Sequence, residues 1–173
     1  MEWPDRDRLV TLTALGLVVV AIGLWATAPT GPLGGLLHPL EYETGTVTVS
    51  DENGTTLATV DVQIADSERE RYVGLSETDS LAKDEGMLFV FETSSERAFV
   101  MREMDFPLDI VFVAPNGTIT TIQHAPVPSE TPEEDLRRYR GGGQYVLEVP
   151  RGYTNATGID VGDHVAIPDS VSV

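Results

Sequence analysis

From Leu9 to Leu37 the chain carries no ionisable side chain, and no other stretch narrows its fold as much. The densest part, "LVTLTALGLVVVAIGLWATA" (Leu9–Ala28), has 20 residues. At about 1.5 Å per residue, a helix of that length crosses a hydrocarbon core of about 30 Å. Trp25 lies near one end, where an indole suits the interface. Arg6 and Arg8 flank one side; the other side offers Glu41 and Glu43, with no base before Arg69. The positive-inside rule then places residues 1–8 in the cytoplasm, 9–28 across the membrane and the remainder outside. Two readings compete. "ATA" (Ala26–Ala28) resembles a signal-peptide cleavage site, but the apolar run exceeds the usual signal length and Pro29 follows directly. A core helix is the other reading, yet a helix apolar all round does not suit so small a domain. The expectation is a single-pass membrane anchor. Residues 29–42, rich in Gly and Pro, read as a tether, and 43–173 as an extracytoplasmic domain.

Without cysteine the chain has no disulfide, thiol nucleophile or thiolate metal site. Its net charge is −17, Lys83 is the only lysine, and ten arginines supply the remaining base. Such a chain repels nucleic acid and anionic headgroups, so nucleic acid is excluded as a partner. It also repels itself in dilute salt. At about 1 M salt the Debye length falls to about 3 Å and that repulsion is screened, which points to a halophile.

The outer domain reads as short strands. "GTVTVSDENGTTLATVDVQIA" alternates on both sides of Asn53-Gly54, the pattern of a β-hairpin. "SERERYVGLSE" opens with Ser67 and has Glu70 three residues on, a capping box for a short helix ending near Gly74. "EGMLFVFE" and "RAFVMRE" read as two strands, and "LDIVFVAPNGTITTIQHA" as a hairpin turning at Pro115-Asn116-Gly117. "TPEEDLRRY" reads as a short helix or a single turn capped by Thr131, "RGGGQ" as loose chain, "QYVLEVP" as a strand, "GYTNATGI" as a short turn of helix or loop and "VGDHVAI" as a last strand. The fold class is mainly β (α+β): a compact antiparallel barrel or rolled sheet with two short helices. Asn53, Asn116 and Asn155 each begin an Asn-x-Thr sequon, candidate glycosylation sites on an exported domain. The first two also suit tight turns.

"FVMREMDFPLDIVF" (Phe99–Phe112) holds charge within an apolar run. Alternation from Leu108 puts Leu108, Ile110 and Phe112 on one face and Asp109, Val111 and Val113 on the other, so the strand is buried on both sides. Asp109 stands at its entry, just after Pro107. It either caps backbone N–H groups or pairs with an arginine such as Arg71 or Arg102, or it is the polar anchor of a ligand pocket.

The same residues resemble the domain of unknown function 192 family. The likeness runs from about Arg69 to Val165 and rests on Arg71, Gly74 and Leu75; Gly86-Met87-Leu88-Phe89; Phe99 and Met101; Pro107-Leu108-Asp109; Gly117; Val146-Leu147-Glu148; Gly152; and Gly162-Asp163. The resemblance implies a compact, mostly β fold, often behind an export signal or anchor, and no established activity. Two positions depart from the family pattern: Val100 stands where Trp is usual, and Glu103 where Asn is usual.

No Walker loop, dinucleotide fingerprint or EF-hand loop occurs, so no cofactor is expected. His124, His164 and Glu148 have no metal-site spacing, and no metal is expected either. Ser80 and Lys83 match Ser-x-x-Lys without its companion motifs. The sequence therefore supports a binding module ahead of an enzyme. Its sheet mouth, with Arg71, Phe99, Met101, Arg102, Asp109 and Glu148, would hold a small polar ligand or an envelope partner. The alternatives are a hydrolase using Asp109 and Glu148 as acid and base, and a purely structural envelope protein. The charge reading predicts a melting temperature that climbs between dilute and molar KCl; a flat or falling curve contradicts it.

Overall fold

The alternating residues on either side of Asn53-Gly54 form β1 (Glu43–Ser50) and β2 (Thr56–Ala65), paired antiparallel from Glu43↔Ile64 to Ser50↔Thr56. The Asp51 carboxylate holds the turn, accepting from the backbone N–H groups of Asn53 at 2.9 Å and Thr55 at 2.7 Å. This computed structural model describes residues 40–129, 132–168 and 170–171. The apolar segment Leu9–Ala28 lies outside them, as does Thr131. No helix among the described residues is long and apolar enough to cross a membrane.

After β2 the capping box forms as its residues dictate. Ser67 Oγ accepts from the Glu70 N–H at 3.2 Å, and Glu70 Oε2 accepts from the Ser67 N–H at 2.9 Å, starting α1 (Glu68–Val73). Such a cap stabilises a helix by about 1 kcal/mol, a large share for one of this length. The helix returns the chain so that β3 (Glu85–Phe99) runs parallel to β2, from Asp61↔Glu85 to Ala65↔Phe89. The sheet is therefore mixed and not wholly antiparallel, because a helical crossover can join parallel neighbours whereas a tight turn cannot. "EGMLFVFE" and the first three residues of "RAFVMRE" are one strand, with a register shift between Val90 and Ser95, while Val100–Glu103 lie outside the strand in the connection that follows.

The second expected hairpin is present as β4 (Leu108–Val113) and β5 (Ile119–Ala125). A single 3-10 turn, Glu133–Asp135, leads to β6 (Tyr139–Pro150), which pairs antiparallel with both β3 and β4. β6 takes in "RGGGQ", which is strand and not loose chain. A Cβ on Gly141 would stand 2.3 Å from Cγ of Phe112, and one on Gly143 would stand 2.6 Å from the Val113 carbonyl oxygen. The missing side chains make room for the neighbouring strand. α2 (Tyr153–Thr157) and β7 (His164–Ala166) complete the chain.

The seven strands lie in the order β5-β4-β6-β3-β2-β1-β7 and curl into a half-barrel. At one corner its two edges meet. Thr118 bridges His164, the Ile119 N–H donates to Asp163 at 2.8 Å, and the Val165 N–H donates to Gly117 at 2.8 Å. That covers part of the free edges, where unpaired strands invite aggregation.

Two cores result. One takes a residue from every strand, including Val47, Val60, Leu88, Val111, Ile119, Leu147 and Val165, so it fills the enclosed face of the curl. The other lies on the outer face of β3, β4 and β6, with Met87, Phe89, Leu108, Ile110, Phe112 and Val146. Leu75, Met101 and Met104 cover it from α1's exit and from the β3–β4 connection. The alternation expected along β4 is realised: Leu108, Ile110 and Phe112 face outward, while Val111 and Val113 face inward.

Candidate ligand pocket

Register decides where the two buried acids point. Asp109 pairs with Val149 and shares its inner face; Glu148 pairs with Ile110 and shares its outer face. The two carboxyls sit on adjacent strands but in different cores. The acid and base pair expected of a hydrolase therefore does not assemble, because both groups would have to reach one cleft.

Asp109 is fully buried and fully engaged. Its Oδ2 accepts from the Gly152 N–H at 3.0 Å, the Thr154 N–H at 3.1 Å and the Thr154 hydroxyl at 2.8 Å. Its Oδ1 lies 2.6 Å from His124 Nδ1 and 3.5 Å from Arg151 Nε. Five polar atoms converge on one carboxylate that ties β4, β5 and the start of α2 together. The arginine it meets is Arg151, not Arg71 or Arg102, because Arg151 directly follows β6, whose Val149 pairs with Asp109. Asp109 is thus a structural hub outside the pocket. His124 is committed to it, and His164 lies against the Asn116 carbonyl oxygen, so neither joins Glu148.

Glu148 has the opposite surroundings. It is 6% exposed, and no hydrogen bond or ion pair reaches its side chain from the described residues. Burial without compensation disfavours the charged form and pushes its carboxyl up to about 8. At neutral pH it is mostly the neutral acid, able to donate and accept a hydrogen bond. It lines a pocket of about 440 Å³ on the outer face. The walls are Leu75, Phe89, Phe99, Met101, Met104 and Leu108, and the rim carries Arg71, Arg97 and Arg102. Phe99 packs edge-on against both Phe89 and Phe112, with centroids 5.0 and 5.9 Å apart, which fixes the aromatic wall. That size and an apolar lining with a few polar groups are usual for a small-molecule site.

The rim arginines also hold the covering segment in place. Arg71 donates from α1 to the Val90 carbonyl at 2.9 Å and to the Asp66 carbonyl. Arg102 donates to the Tyr72 carbonyl, stacks 3.9 Å from the Tyr72 ring centroid and lies 3.7 Å from Glu133. The Ser76 hydroxyl donates to the Arg102 carbonyl at 3.0 Å.

Five of the residues singled out from sequence, Arg71, Phe99, Met101, Arg102 and Glu148, line this pocket together; Asp109 does not. Arg97 was missed. Its segment reads as a separate short strand in sequence, and only the continuity of β3 brings it to the rim. Val100, where the family pattern has Trp, belongs to the pocket wall. Glu103 has φ 53°, in the left-handed region. Asn enters that region more readily than Glu, so the family's Asn there suits the backbone. Asn53, Asn116 and Asn155 are all exposed.

Residues 48–167 match the model of a family described as Uncharacterized ACR, DUF192. No curated protein matches significantly. Two solved structures are similar. One, from Sinorhizobium meliloti 1021, is described as a candidate transcription regulator. It is 31% identical, with 75% of this chain and 97% of that chain covered and a TM-score of 0.66. The other, a protein of unknown function from Novosphingobium aromaticivorans DSM 12444, is 28% identical, with 75% and 90% covered and a TM-score of 0.65.

Two measurements probe this arrangement. Asp109→Ala strands a set of buried donors and should lower unfolding free energy by about 3–5 kcal/mol in urea titrations; a loss under about 1 kcal/mol contradicts the hub. For Glu148, the unfolded chain has released its proton above pH 4.5, while the folded chain retains it up to about pH 8. Stability therefore falls as pH rises through that window, by up to about 1.4 kcal/mol per unit, and levels off above it. Subtracting the Glu148→Gln curve from wild type should isolate this slope; parallel curves contradict it.

Proposed function

We propose that this chain, which belongs to the DUF192 family, is a binding module that holds a small ligand in the outer-face pocket between α1 and the sheet. One observation carries the reading: Glu148, a buried carboxyl with no partner among the described residues, lines a pocket of about 440 Å³. Its oxygens are not among the fully enclosed polar atoms without a partner, so they open onto the pocket, where a ligand can supply the hydrogen bond that the fold does not. Stability alone favours an apolar residue there, as at Val146 two positions earlier. The neutral acid gives the site a donor at its floor while the walls remain apolar.

The module is carried outside the cell by its N-terminal segment. Support comes from the uncharged run Leu9–Leu37, from Arg6 and Arg8 on one flank only, and from the exposure of all three sequon asparagines. The net charge of −17 suits a salt-rich medium and opposes a polyanionic partner, so the name given to the Sinorhizobium meliloti protein is not carried over to this chain.

Ligand-observed NMR of a fragment library against the full-length protein tests the module. Fragments that bind wild type should lose affinity in Glu148→Leu and in a pocket-filling Met101→Trp, and keep it in the off-site variant Arg138→Gln. Binders indifferent to Glu148 and Met101, or no binders at all, contradict the reading. Protease added to intact cells should degrade residues 43–173; their full protection contradicts the external placement.

A further inference from the structure

The chain holds 28 acidic and 11 basic residues, so a carboxylate is the partner most available to its cations. Arg140 is paired with Glu96 at 3.0 Å, Arg151 with Asp109 and Arg102 with Glu133. At the pocket rim two arginines instead share one aromatic face. Arg71 from α1 and Arg97 from β3 lie over the same ring, Phe91, at 5.2 and 3.6 Å from its centroid. Neither makes an ion pair among the described residues. Glu96 also lines the pocket, but its carboxylate is committed to Arg140. Arg97 Nη2 donates to the Thr93 carbonyl, while its Nε is buried with no acceptor among the described residues. Burial and the neighbouring Arg71 charge both push the Arg97 guanidinium down, so two like charges meet with no ion-paired carboxylate among the described residues.

An aromatic face stabilises such cations by about 0.5–2 kcal/mol each, which does not relieve their mutual repulsion. An oxyanion does, and a guanidinium fork matches a carboxylate in shape and charge. Inward from the arginines the wall turns apolar, through Phe89, Phe99, Met101 and Leu108, down to Glu148. Bare phosphate or chloride would leave that volume unfilled, and an uncharged hydrocarbon would leave the arginines unanswered.

We propose that the occupant is an amphipathic organic anion, with its head group received by Arg71 and Arg97 and its apolar body seated among Phe89, Phe99, Met101 and Leu108. The inference rests on the pocket reading above and adds the chemical class of ligand. A carboxylate fits the fork best; a phosphate monoester on the same body shares the chemistry.

Calorimetric titration of the full-length protein with octanoate, octyl phosphate, octanamide and inorganic phosphate tests it. Octanoate or octyl phosphate should bind at least about tenfold more tightly than octanamide, since each charge-assisted hydrogen bond contributes roughly a factor of ten or more. Inorganic phosphate should bind weakest. Arg97→Gln should remove the preference for the anion, whereas Arg138→Gln, an equal charge change at an exposed position, should leave it intact. If Arg97→Gln does not fold, the comparison of octanoate with octanamide on wild type decides by itself. Equal affinity for octanoate and octanamide overturns the anion assignment and leaves the pocket standing. Inorganic phosphate binding as tightly as octanoate overturns the apolar body. Failure of all four probes to bind overturns both the ligand class and the pocket.

Discussion

A β-strand that is apolar on both faces has no side it can turn to water, and three such strands, β3, β4 and β6, lie next to one another here. Everything else follows from covering them twice. The curl of all seven strands encloses one face, and the segment after α1 with Met101 and Met104 covers the other. Because side chains alternate with period two, a step of one residue moves a group from one core to the other. That step separates Asp109 from Glu148, although both sit near the same end of paired strands.

The two acids show how burial and hydrogen bonding decide a carboxyl's role. Asp109, with no exposed surface, accepts from two backbone N–H groups and a hydroxyl and lies against an imidazole and a guanidinium, so its oxygens are satisfied where they stand. It fastens the loop after β6 to β4. Glu148 is nearly as buried and receives nothing from the described residues, so it sheds its charge instead. Placed in a cavity and not in packed core, such a group does not stabilise the fold, which is what the proposed binding role explains. The arginines at the rim serve two ends at once, since Arg71 and Arg102 fasten α1 to the sheet and their heads edge the opening.

Much of this was readable from local chemistry. Asn53-Gly54 dictates its turn, Ser67 with Glu70 dictates the start of α1, and the alternation from Leu108 to Val113 assigns each side chain its face. These signals are carried by residues close together in the chain. The failures share the opposite property. Gly141 and Gly143 have no strand preference of their own, and only Phe112 and Val113 across the sheet explain them. The parallel pairing of β2 with β3 depends on where a crossover returns. Arg97 reaches the rim because β3 continues past its register shift, which polar residues 92–96 do not advertise. Five of the six residues gathered from sequence as one site do line one pocket, while Asp109 was misplaced because its face could be read but not what that face would meet.

The account turns on Glu148 being a neutral acid on the pocket floor at physiological pH. The most direct measurement is a carbon-13 NMR titration of its side-chain carboxyl in the labelled full-length protein, assigned by comparison with Glu148→Gln. The account predicts a midpoint of about 8; a midpoint at the ordinary 4.5 would mean that the carboxyl is solvated or paired, and would contradict it.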